Sequence, residues 1–94
     1  IVADELGVPM AAVNVVVAQP EPALRLMPNG PVNEMYTGAS FGNRIWEARL
    51  RRGAAAARSV LVQAAAERLN VPAEALRLAD GRVTHAASNR SVPI

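Results

Sequence analysis

The stretch FGNRIWEARLRRGAAAARSVLVQAAAERL, residues 41–69, decides the fold. It holds no proline, and its residues are mostly strong helix formers. Trp46, Leu50, Gly53, Ala57, Leu61 and Ala64 recur at steps of three and four, which predicts one long helix with these six as its buried stripe. Gly53, Ala54 and Ala57 would make that stripe flat, so that another backbone can approach closely. Arg44, Arg51 and Arg58 repeat every seven residues on what reads as a separate face, with Glu47 four before Arg51. Asn70 is a helix stop, and Pro72 follows it.

Downstream, "PAEAL" (72–76) reads as a single helical turn opened by Pro72. Residues 76–79 and 82–86 read as two short strands around Asp80-Gly81, a strong hairpin signal. "ASNRS" reads as a further turn before "VPI". Upstream, "IVADELG" (1–7) reads as a helix end with Gly7 as a left-handed stop. "VNVVVA" (13–18) is rich in β-branched residues and predicts a strand covered on both faces. Residues 19–40 carry four prolines and two glycines and read as a long loop, of a length usually functional or disordered. The expected fold class is α+β: one long helix, about 41–69, packed on a small sheet, as a single partial domain spanning 1–94.

Composition narrows the chemistry. Alanine fills 19 of 94 positions, so close packing must replace bulky side chains. All ten basic residues are arginine, yet the net charge is only +2. With Glu47 beside the arginines and few aromatics, nucleic acid is not the expected partner. Cysteine is absent, which excludes disulfides, thiolate metal sites and a cysteine nucleophile within these residues. No apolar run is long enough to span a membrane. Glu34, Glu47, Glu67 and Glu74 are the candidate general bases, but none is paired at a revealing spacing, and solvated faces are expected. His85 is the only histidine and cannot build a zinc site alone. Trp46 reads as a core anchor, and Met27, Met35 and Tyr36 as loop anchors.

The turn "TGAS", residues 37–40, feeds the long helix. Ser40 reads as its N-cap, worth about 1 kcal/mol. A glycine-bearing turn at a helix start can also present N–H groups to an anion. The two roles are compatible.

Taken in order, "IVADELGVPMAAVNVVVAQ" and "YTGASFGNRIWEARLRRGAAAARSVLVQAAAERLNVPAEALRLADGRVTH" resemble molybdenum hydroxylase large subunits. That is the xanthine dehydrogenase and aldehyde oxidase family. The similarity is greatest to the branch typified by isoquinoline 1-oxidoreductase beta subunits. There, a "TGGS" turn precedes a helix bearing "W..LR..GA.AR..L..AAA" and then "DG.V.H". The resemblance covers essentially all 94 residues. It implies an oxidoreductase, of bacterial type, that hydroxylates an aldehyde or an aromatic N-heterocycle with water through a molybdopterin-type molybdenum cofactor. It implies an iron–sulfur subunit or domain as electron acceptor, and the remainder of the large subunit as a partner. By position, Thr37, Gly38, Ala39 and Ser40 would line the cofactor, with Phe41 and Gly42 next. The family usually has two adjacent glycines where this chain has Gly38-Ala39, and a Ser/Thr-rich stretch where it has Phe41-Gly42-Asn43. Its "GQG"-type loop would lie before residue 1 and its catalytic glutamate after residue 94. The chain alone is therefore expected neither to hold the cofactor nor to catalyse. The alternative expectation is a structural or interaction module that docks a partner or a second copy through the Gly/Ala helix face.

Overall fold

The computed structural model describes residues 1–25, 35 and 38–94. Helix α1 (Val2–Leu6) ends at Gly7, whose φ of 61° is left-handed, and helix α2 runs Phe41–Leu69. Strands β1 (Leu76–Ala79), β2 (Arg82–His85) and β3 (Arg90–Pro93) form one antiparallel sheet in the order β1-β2-β3. The α+β expectation holds: one long helix lies on a small sheet.

Local turn chemistry places the boundaries. Asn70 adopts φ 54° and its N–H reaches back to the carbonyls of Ala66 and Glu67, ending α2. Asp80 and Gly81 take φ 50° and 70°, the left-handed pair that a two-residue hairpin demands. Leu78 then faces Val83, and Val83 faces Val92. Asn89, at φ 54°, turns the chain into β3, so "VPI" completes the sheet.

The core is small. Val83 is fully buried, beside Leu78 and Ala65, with Val62, Leu76 and Val92 packed around them. Ala54, Ala66 and Leu69 are the other buried apolar residues among those described. The Cα radius of gyration is 17.0 Å. A compact chain of this length would have about 12–13 Å, so much apolar surface is left outside the core.

Two expectations are corrected. The packed side of α2 is the line Arg51, Ala54, Arg58, Val62, Ala65 and Leu69, one position on from the predicted stripe. Of the predicted six, Leu50, Gly53, Ala57 and Ala64 are exposed, and Trp46 and Leu61 are half-buried. The cause is alanine: in 53–57 and 64–66 it gives every side of the helix similar apolarity. Direction is set instead by Ala65 and Val62 against the sheet, and by Arg51 and Arg58 against α1. Second, residues 13–18 pair with no strand among the described residues. Val15, Val16 and Val17 are 84%, 78% and 85% exposed. The β-branched composition is real, but a strand forms only where a partner offers its backbone.

Arg51 fastens α1 to α2. Its guanidinium lies 2.7 Å from Glu5, 3.3 Å from Asp4 and 3.2 Å from Glu47. Glu5, then Glu47 and Asp4, raise its pKa above the ordinary guanidinium range. Arg58 donates to the backbone carbonyl of Glu5 at 3.2 Å. Of the arginines expected on a separate face, Arg51 and Arg58 therefore join the packed one, and Arg44 stays exposed.

Candidate functional site

The turn entering α2 is the candidate site. The Phe41 N–H donates to the carbonyl of Gly38 at 2.9 Å, and the Arg44 N–H donates to Ser40 at 3.1 Å. Between them the backbone is left-handed twice, at Ala39 (φ 46°) and Ser40 (φ 58°). Each such residue without glycine costs about 1–2 kcal/mol. Ser40 holds the N-cap position, but its hydroxyl makes no capping bond. A capping side chain needs extended backbone at that residue, and Ser40 is left-handed, so the expected cap is not made.

This leaves donors uncommitted. The N–H groups of Gly42 and Asn43 have no backbone acceptor among the described residues. No acidic residue lies in the first turn of α2. The Arg44 guanidinium sits over the Phe41 ring, 5.3 Å from its centroid. Among the described residues, the helix's own backbone aside, nothing lies within 4 Å of where a Cβ at Gly42 would stand. The helix end is thus electropositive, with two backbone donors, a free hydroxyl and a guanidinium nearby. That donor set suits the anionic part of a ligand on one side.

Of the four residues carried over by resemblance, Gly38 is half-buried, and Ala39 and Ser40 are exposed at the turn. Thr37 lies outside the described residues, as do Glu34, Met27 and Tyr36. Met35 is exposed, and its sulfur accepts the N–H of Glu21 at 3.4 Å.

The other candidates fall elsewhere. Glu47 is bound to Arg51, and Glu67 and Glu74 are exposed. Trp46 is covered by the Arg49 guanidinium, 5.3 Å from the ring centroid. His85 Nδ1 lies 2.7 Å from Ser88 Oγ, and Arg90 donates to the same oxygen at 3.0 Å. Ser88 Oγ thus accepts from Arg90, and which of Ser88 and His85 donates to the other follows the imidazole tautomer. Among the described residues no carboxylate joins this pair, so it is no catalytic triad. No three His, Cys, Asp or Glu side chains cluster for a metal among the described residues, and no described helix is long and apolar enough to cross a membrane. The Arg51 cluster was only half legible: Glu47 at four residues' spacing signals one pair, but nothing local signals Asp4 and Glu5.

No protein-family model, curated protein or solved structure matches the chain.

Proposed function

We propose that this chain is a segment of a molybdopterin-dependent oxidoreductase of the molybdenum hydroxylase family, contributing one lobe of the cofactor-binding region. The observation that carries the proposal is the ordered resemblance running from "ADELGV" through "TGAS" and the long helix to "DG.V.H". Ala39 supports the register: its φ of 46° is a conformation natural to glycine, and the family has glycine there.

The cofactor, when bound, supplies the two-electron chemistry by which an oxygen from water is added to a carbon. This chain's share is binding and orientation. Gly42 and Asn43 N–H, the Ser40 hydroxyl and Arg44 would face an anionic or polar edge of the pterin. The substrate class is an aldehyde or an aromatic N-heterocycle, and electrons would leave to an iron–sulfur partner.

The test is metal and pterin analysis of the complete gene product, with the 94-residue chain alone as comparison. The complete product should hold molybdenum and yield oxidised pterin fluorescence, and the isolated chain should hold neither. A complete product devoid of both refutes the proposal.

One observation favours a second reading, the interaction module. The Gly53, Ala56, Ala57 and Val60 side of α2 is exposed, so a helix could dock there. Light scattering tests it: a charge at Ala57 should dissolve any complex made through this face.

A further inference from the structure

We propose that the outer face of the sheet docks an extended, acidic protein segment that carries carboxylates at alternate residues. This inference does not rest on the molybdenum reading and is compatible with it, because the occupant lies outside residues 1–94.

Strand alternation defines the face. Leu78, Val83 and Val92 point to the α2 side, in or against the core. Arg77, Ala79, Arg82, Thr84, Ser91 and Pro93 therefore share the opposite face, with Arg77, Thr84 and Ser91 in one cross-strand row. The Arg82 guanidinium donates to Ser91 Oγ on this face, from Nη2 at 2.8 Å and from Nε at 3.1 Å. That contact holds the guanidinium in place and leaves its Nη1 hydrogens for another acceptor. Arg77 and Arg82 are both exposed, and neither is paired with a carboxylate among the described residues. The Thr84 hydroxyl between them makes no side-chain hydrogen bond among those residues. The third arginine of the sheet, Arg90, stands on the α2 side and is engaged with Ser88.

Charge selects the occupant. Outside residues 76–94, seven arginines are matched by seven carboxylates, whereas inside them three arginines meet Asp80 alone. The whole net charge of +2 thus sits on the sheet and its turns. A solvated face ordinarily mixes both signs, but the charges on this one are both arginine. Arg77 lies opposite Thr84, so Arg82 is its diagonal neighbour on β2, about 7–8 Å away. Carboxylates two residues apart on an extended chain stand about 7 Å apart, which matches that pair. The eight carboxylates of this chain include no two at that spacing, so neither its own residues nor a second copy supplies the segment. Nucleic acid fits less well. Residues 76–94 hold no aromatic side chain on which a base could stack, and two arginines neutralise few phosphates.

Titration of the 94-residue chain with a peptide of alternating Glu and Thr, followed by amide NMR shifts, tests this. The amides of Arg77, Arg82, Thr84 and Ser91 should shift together, and those of α2 residues 52–60 should not. Arg77→Gln and Arg82→Gln should each weaken binding roughly tenfold, the loss of one charge-assisted contact. Both side chains are exposed, so the melting temperature should stay close to that of the parent chain. Arg49→Gln on α2 should leave binding unchanged, and added salt should weaken it. The counterpart peptide with Gln for Glu should not bind. A peptide of equal charge with Glu at every third residue should bind more weakly. Sheet amides that stay unmoved by the alternating peptide overturn the proposal. So does equal binding of either control peptide, or a loss with Arg49→Gln as large as with Arg77→Gln. Duplex DNA that shifts the same amides at lower concentration than the peptide also overturns it.

Discussion

Gly53 stands in the middle of α2, and its replacement by alanine separates two views of that helix. If the Gly53 side met a neighbouring backbone within the fold, a methyl group there would destabilise the protein. Among the described residues, the helix's own backbone aside, nothing lies within 4 Å of a Cβ at Gly53, and its φ is not left-handed. The added methyl therefore meets open space, and only two terms remain. Alanine is favoured over glycine in an exposed helix interior by about 0.8–1.0 kcal/mol, much of it lost freedom in the unfolded chain. The methyl buries almost nothing, so no transfer contribution is added. Gly53→Ala should stabilise the chain by about 1 kcal/mol, raising the melting temperature by roughly 4–8 °C. Urea unfolding followed by circular dichroism should show a higher midpoint at an unchanged slope. A lower midpoint would refute the reasoning, because it would mean that something covers this face.

Val83→Ala removes two methyls from a fully buried side chain of the core. At about 0.8 kcal/mol each plus a cavity contribution, the loss is about 2–3 kcal/mol, and thermal melting should show it. Gly7→Ala combines left-handed strain with a Cβ 3.3 Å from the Leu78 carbonyl oxygen. It should cost at least about 1 kcal/mol, and an unaltered urea midpoint would count against the packing described. Arg51→Ala should free α1 without unfolding the sheet: the Val8 amide, bonded to Ala3 at 3.0 Å, should exchange faster while β2 amides do not. High salt should reproduce part of that effect. The Arg51 pKa is raised in the folded state, so its contribution is complete below the unfolded value and is lost only as pH rises through the folded one. Neutral and moderately alkaline pH should therefore leave the cationic side of the contact untouched.

What the sequence disclosed was what a few neighbouring residues decide. Gly7, Asn70 and Asp80-Gly81 were legible because their left-handed backbone is a local property, and the helix ends and hairpin followed. The valines at 13–18 were not, because extended preference needs a second strand whose identity no neighbour encodes. The packed side of α2 was misplaced by one position because alanine carries no directional information. The deciding contacts, Arg51 to Asp4 and Glu5, span more than forty residues. At the candidate site, serine at the helix entrance was read correctly as to position. Its missing cap follows from the left-handed backbone at Ala39 and Ser40, which residue type does not reveal. The donor set at Gly42, Asn43 and Arg44 emerged only once that geometry was known.

The Gly81 backbone has a consequence for the order of folding. Its N–H is held by Gly7 at 2.8 Å, and its carbonyl accepts the Ile94 N–H at 3.1 Å. One hairpin tip thus gathers two distant stretches of chain. The Ile94 bond closes after 13 residues, within a meander whose contacts are all nearby. The Gly7 bond spans 74 positions and bears the larger entropy of closure. The helix and the meander can therefore assemble first, and α1 arrives last, as a clasp on a frame already formed. By the same ordering it is the first piece to open. Loss of α1 would leave the α2–sheet core standing, so partial opening at this end is cheaper than global unfolding.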